Sequence, residues 1–279
     1  MSKKVIFSTG FSGKVATAPY ENCSPFFHIT EEIEADFTPE QIEAHLKELQ
    51  DICQRRFRFE ENALFYERVQ KSRPNIRLYD KAGKKYVSVT TVLGHDKQWF
   101  IDPEQLKLYA ARGTINHLRA EYFFKNGKWE DPTKLESCFP YLALLKGTEL
   151  WNGWEGANLP AFLEKHPIKK VVSYEQKVFN EELSYAGTYD FLAETEVGLT
   201  LFDIKTTDKP DTESAFPQLA AYANSDELRG KVKQIIIAPV HGKTKQGFSS
   251  AIVCGEEGMQ KWFGIFSAKR SKFREIYGI

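Results

Sequence analysis

Apolar residues recur with the period of a strand over two neighbouring runs, residues 184–193 and 199–206, joined by the acidic connection 194–198. This pattern predicts a hairpin. A third such run, 171–179, precedes the pair, and 233–240 and 247–254 follow it. Helical spacing takes over in three places: 102–124, opened by Asp102-Pro103; a segment opened by Pro217; and 257–277. The alternation predicts an α/β fold, a central mixed twisted sheet of about five strands flanked by helices.

The first part of the chain follows a different pattern. Short apolar runs at 4–7 and 26–33 read as strands, separated by a loop-rich stretch punctuated by Gly10, Gly13, Pro19 and Pro25. Thr38, Pro39 and Gln41 then form a capping-box signature, and Ile42, Leu46, Leu49, Ile52, Cys53 and Phe57 keep helical spacing to about residue 59. We expect residues 1–72 to form an α+β accessory region and 73–279 the main domain. Within that domain, 76–79 and 85–93 read as a hairpin around Asp80-Lys81-Ala82-Gly83. Residues 128–167 form a helical, aromatic insertion carrying Trp129, Phe139, Tyr141, Trp151, Trp154 and Phe162, a candidate cap over a site.

Composition narrows the class. A chain of 279 residues, 42% hydrophobic and 27% charged, describes a soluble globular protein. Its 38 basic and 38 acidic residues cancel, which excludes a blanket attraction to nucleic acid but not a local basic groove. Cys23, Cys53, Cys138 and Cys254 are widely spread, without a C-x-x-C pair, and suggest reduced thiols. No apolar run has the length of a signal peptide core or a membrane span, so a cytoplasmic protein with no membrane partner is expected.

The candidate chemistry lies in the hairpin. Asp190 is on its first strand, and Asp203 and Lys205, two apart on the second, point to one face. Antiparallel pairing brings the two aspartates together, where they repel unless a cation lies between them; hard oxygen ligands favour Mg²⁺ or Mn²⁺. A lysine beside such an ion can orient water or stabilise charge on a phosphate under attack. On the 102–124 helix, His117 and Glu121 lie one turn apart on one face. The imidazole can complete a metal site, with Glu121 orienting it or acting through water. Gln218 and Tyr222 share a helix face and could meet a phosphate or Lys205. Trp151 and Trp154 are candidates for base stacking, and Lys269 and Arg270, in the densest basic cluster, for a nucleic-acid backbone. His28 and His45 read as surface or satisfied histidines.

Taken in order, Gly113-x-x-x-His117-x-x-x-Glu121, Glu175, Gly187-x-x-Asp190, Asp203-Ile204-Lys205 and Gln218-x-x-x-Tyr222 resemble the PD-(D/E)XK nuclease superfamily in its RecB-type exonuclease branch. The segment 87–93, VSVTTVL, is similar to the S-V-T-x-(I/V)-L stretch of phage and mitochondrial genome maintenance exonucleases of that branch. There it leads into the helical wall of the active site. Tyr189 stands where the superfamily's name places a proline, a departure common among RecB-type members. The resemblance implies a restriction-endonuclease-like core and a metal held by His117, Asp190, Asp203 and the Ile204 backbone carbonyl, with Glu175 or Glu121 as further ligands. It also implies Lys205 as the residue that positions the attacking water, and products with 5′-phosphates. Several relatives carry an iron–sulphur cluster on one upstream cysteine and three clustered near the C-terminus; Cys254 is alone there, so no cluster is expected.

The function expected is therefore a Mg²⁺- or Mn²⁺-dependent deoxyribonuclease, an exonuclease on single-stranded or end-containing DNA. It would be bacterial, archaeal or phage-encoded and work beside recombination, replication or CRISPR-adaptation proteins. Two alternatives stay open: a structure-selective endonuclease, and a catalytically silent module that binds DNA ends or a partner.

Overall fold

A computed structural model of the chain describes residues 4–12, 15–18, 21–23, 26–34, 38–73, 75–97, 102–150 and 156–279. These fall into two compact units, Met1–Val87 with Tyr277–Ile279, and Ser88–Ile276. The division expected after residue 72 lies inside the first unit.

In the first unit, β1 (Lys4–Ser12) and β4 (Phe26–Glu34) pair antiparallel, and β2 (Val15–Ala18) pairs with β3 (Glu21–Cys23). The loop expected around Gly10 is strand: Gly10 pairs with His28 inside the β1–β4 ladder. Helix α1 (Pro39–Ser72) starts at the capping box, Thr38 accepting from the Gln41 N–H and the Gln41 side chain accepting from the Thr38 N–H. It continues well past residue 59 and packs on β1, β2 and β4, burying Leu49, Cys53 and Phe57. His45 pairs with Glu31 at 2.9 Å and His28 meets Ser8 Oγ at 2.6 Å, so both are satisfied by local partners. The hairpin of β5 (Leu78–Lys81) and β6 (Lys84–Ser88) turns on Ala82 and Gly83, both with positive φ.

The second unit is α/β, a mixed sheet flanked by helices. Strands β7 (Lys170–Asn180), β8 (Tyr185–Thr195) and β9 (Gly198–Lys205) are antiparallel neighbours; β10 (Gln234–Pro239) lies parallel to β9, and β11 (Ile252–Gly255) antiparallel to β10. Phe191, Phe202, Ile204, Ile236 and Ala238 form one buried cluster with Ala120, Leu159 and Phe162; Phe191 and Phe202 stack with centroids 4.4 Å apart. The alternation of β9 leaves Leu201, Asp203 and Lys205 on the opposite side of the strand.

Helix α2 (Val89–Gly94) replaces the strand expected through residue 93. Its β-branched sequence suits a strand locally, but Val89, Val92 and Leu93 bury one helical face, and Ser88 at the N-cap position bonds Thr90 Oγ1 at 2.8 Å. Helix α3 (Pro103–Asn126) runs from an Asp102 cap to left-handed Gly127. Short 3₁₀ turns at Pro132–Lys134 and Glu136–Cys138 lead into α4 (Phe139–Leu145), and α5 (Leu159–Lys165) follows. Helix α6 (Thr212–Ala223) begins before Pro217 rather than at it. Lacking an N–H, Pro217 forgoes the bond to the Glu213 carbonyl, and the buried face from Ala215 to Ala223 holds the helix together across that gap. Helix α7 (Glu256–Tyr277) closes the order. Among the described residues, no helix is long and apolar enough to cross a membrane.

Candidate active site

Backbone pairing between β8 and β9 runs from Thr195↔Gly198 to Phe191↔Phe202 and ends there. One residue further on, a side chain takes over from the ladder: Asp190 Oδ2 accepts the Ile204 N–H. The N–H and C=O of a strand residue point to the same side, so the Ile204 carbonyl also faces the Asp190 side. The aspartate is thereby fixed beside β9 by the backbone whose motif it completes.

Helix α3 brings His117 to the same place. Its Nδ1 lies 3.2 Å from Asp190 Oδ1 and 3.5 Å from Glu175 Oε1. One ligand atom from each of His117, Glu175 and Asp190 lies within 4.8 Å of the others. Glu175 reaches this point at a backbone cost. Within β7 it takes φ 47, left-handed for a residue with a side chain, a conformation worth about 1–3 kcal/mol of strain and concentrated at functional sites.

Asp203 is outside that trio and more deeply placed, 3% exposed. Lys205 Nζ lies 2.8 Å from its Oδ2 and donates to its Oδ1 at 3.1 Å. Both Asp203 oxygens thus face one ammonium, in a carboxylate that is almost wholly buried. The carboxylates, one imidazole and a backbone carbonyl gathered here form a donor set that Mg²⁺ or Mn²⁺ accepts.

The charges are mutually tuned. Burial opposes charge on His117, but Asp190 and Glu175 outweigh it and raise the imidazole to about 10. Burial also opposes charge on Asp190, yet His117, Lys205 and the Ile204 N–H hold its carboxyl below the ordinary range. For Asp203 burial prevails: its carboxyl is pushed up, with Asp190 adding to the rise against the pull of Lys205. Burial would lower Lys205, but Asp203 and Asp190 keep its ammonium above its usual value. Two carboxylates, one raised and one lowered, share a space with two cations.

Two cavities open on this cluster. One of about 450 Å³ is lined by Gly113, Thr114, His117, Glu121 and Glu175, so the whole Gly113–His117–Glu121 pattern faces it. The other, about 410 Å³, is lined by Thr90, Lys205 and Gln218, with Lys97, Thr207 and Ser214. Thr207 follows Lys205 by two residues and Ser214 precedes Gln218 by four, while Lys97 arrives from just beyond α2; no local pattern marks the three.

The remaining expected residues have other partners. Glu121 lines the first cavity but bonds Lys125 at 2.6 Å rather than His117. Tyr222 is buried, its hydroxyl accepting from Gln218 at 3.1 Å, and its ring lies against Gly187. Lys269 pairs with both oxygens of Asp96 at 2.9 and 3.0 Å. Arg270 is not a surface cation: it is 2% exposed and donates to the Leu183 carbonyl at 2.8 Å and to that of Ser184. Trp151 and Trp154 lie outside the described residues, as does part of the expected 128–167 cap. Neither a protein-family model nor a curated protein sequence matches this chain.

Proposed function

We propose that the chain is a nuclease of the PD-(D/E)XK type, RecB-like, which hydrolyses phosphodiester bonds in DNA with the help of Mg²⁺ or Mn²⁺. The observation that carries this reading is the convergence of His117, Glu175 and Asp190, one ligand atom of each within 4.8 Å of the others, beside the buried Asp203–Lys205 pair. Carboxylates gathered this closely in a partly buried space repel one another, and a bound cation relieves the repulsion. His117, Asp190, Asp203 and the Ile204 carbonyl would hold the ion, with Glu175 close to the first two. When bound, the ion supplies Lewis acidity to the phosphate and offsets the charge that develops on it.

The chain's own residues do the rest. Lys205, held by Asp203, is a fixed ammonium at the junction with the second cavity, placed to orient the attacking water and neutralise a phosphate oxygen. Asp190 ties the site to β9 through the Ile204 N–H. In the metal-free fold Glu175 and Asp190 both face Nδ1 of His117 and keep the imidazole turned into the cluster.

The test is digestion of end-labelled linear and circular single-stranded DNA with Mg²⁺, Mn²⁺ or EDTA, for the wild type and Asp203→Ala. Metal-dependent loss of linear DNA alone supports an exonuclease, with the surviving label giving polarity. Loss of both forms makes it an endonuclease. Cleavage by Asp203→Ala at the wild-type rate removes the assignment.

A further inference from the structure

We propose that the cavity beside Lys205 is a nucleotide subsite, in which Lys97 contacts the phosphate of the residue next to the bond being cut. The inference rests on the nuclease reading for its position in a strand, but its binding chemistry stands on the cavity itself. At about 410 Å³ the space suits one small ligand. Its walls have two characters. Leu93, Pro210 and Ala215 give an apolar surface for a sugar or base, while Lys97, Lys205, Thr207, Ser214 and Gln218 place cations and hydroxyl or amide groups around it. A ligand with a flat apolar body and an anionic end matches both, and a nucleotide is such a ligand.

Lys97 is held ready. Its ammonium meets Asp211 Oδ2 at 3.3 Å and bonds Ser214 Oγ, which itself donates to Asp211. An ammonium has three donors, so these two partners fix its direction and leave one for a phosphate oxygen. Lys205 lines the same cavity from the opposite quarter of the sequence and is bonded to Asp203. One lysine thus belongs to both the cavity and the catalytic cluster, so a ligand held here lies beside the reacting phosphate. Lys97 is a substrate contact on this account, acting on binding of the strand rather than on the chemical step.

The experiment has two arms. In the first, the full-length protein, Lys97→Gln and Ala215→Leu are titrated with thymidine 5′-monophosphate and with thymidine, with folding checked by thermal unfolding. We expect the wild type to bind the monophosphate, Lys97→Gln to weaken it roughly tenfold while changing thymidine little, and Ala215→Leu to weaken both. Equal binding by the wild type and Lys97→Gln, or no binding by the wild type, overturns the subsite. Since Ala215 is buried, a misfolded Ala215→Leu leaves the decision to Lys97→Gln. In the second arm, cleavage of a short oligonucleotide by Lys97→Gln should show a KM raised roughly tenfold, with the loss carried by KM rather than kcat. Cleavage with unchanged KM removes the subsite and spares the nuclease. A wild type that binds the monophosphate but cleaves nothing removes the nuclease and spares the subsite.

Discussion

The ring of Tyr222 occupies the space where Gly187 would carry a side chain: a Cβ on Gly187 would stand 2.1 Å from Tyr222 Cε1. Two positions that look like separate signatures in the sequence, the glycine three before Asp190 and the tyrosine four after Gln218, are one packing contact between β8 and α6. The contact holds the strand bearing Asp190 close to the helix bearing Gln218.

Gly187→Ala should therefore destabilise the protein by about 2–4 kcal/mol, as overpacking against a buried aromatic does. Urea denaturation measures this, and a cycle with Tyr222→Leu should recover a coupling of about 1 kcal/mol or more. Independent, additive losses would mean that the ring and the glycine do not constrain each other.

Asp203→Asn separates function from stability. Its carboxyl is raised by burial and by Asp190, so the ionised form at neutral pH is disfavoured by the fold. Without metal, the amide variant should melt at or above the wild-type temperature. Mg²⁺ or Mn²⁺ should raise the melting temperature of the wild type and leave the variant unchanged. An equal metal-induced rise in both proteins would place the ion elsewhere.

His117 sets a pH dependence. Its folded-state value, about 10, lies above the unfolded value near 6.5, because Asp190 and Glu175 outweigh its burial. Its contribution to stability is thus complete below about 6.5 and is lost as pH rises through about 10. In EDTA, the deficit of His117→Gln relative to wild type should be largest near pH 6 and shrink toward pH 10. An ion must displace the same proton, so apparent metal affinity should rise with pH over this window, by up to about tenfold per unit. A deficit independent of pH would show that the imidazole is uncharged in the metal-free fold.

Arg270 and Lys269 should behave differently although adjacent. Arg270→Ala removes a buried guanidinium from the Leu183 and Ser184 carbonyls ahead of β8 and should cost about 2–4 kcal/mol, with Arg270→Lys recovering little of it. Lys269→Ala removes a partly exposed pair with Asp96 and should cost about 1 kcal/mol or less. Chemical denaturation of the three variants compares them directly.

Much of this was legible where chemistry is local. The Thr38–Pro39–Gln41 signature marks the start of α1, Asp102-Pro103 that of α3, and the two runs around 194–198 mark the β8–β9 hairpin, because caps and strand periods involve neighbours in sequence. Reading failed where tertiary packing overrules local preference. The run of β-branched residues at 89–92 is helix because its buried face has somewhere to go, and Pro217 sits inside α6 because the flanking residues are buried. In the site, Asp190, Asp203, Lys205, Glu175 and His117 are neighbours as their order suggested. The left-handed backbone of Glu175, the burial of Arg270 and the arrival of Lys97 beside Lys205 depend on long-range contacts that leave no periodic trace.

The central claim, metal-dependent cleavage of a phosphodiester by the Asp203–Lys205 pair, is met most directly by one rate. That is the release of nucleotides from uniformly labelled single-stranded DNA by the wild type and by Lys205→Ala, each over a titration of Mg²⁺ and Mn²⁺. The account predicts a wild-type rate that rises with metal and vanishes in EDTA, and a loss of about a thousandfold or more in Lys205→Ala, measured at a temperature where circular dichroism shows the variant folded. A folded Lys205→Ala that releases nucleotides as fast as the wild type, or a wild-type rate indifferent to EDTA, would contradict it.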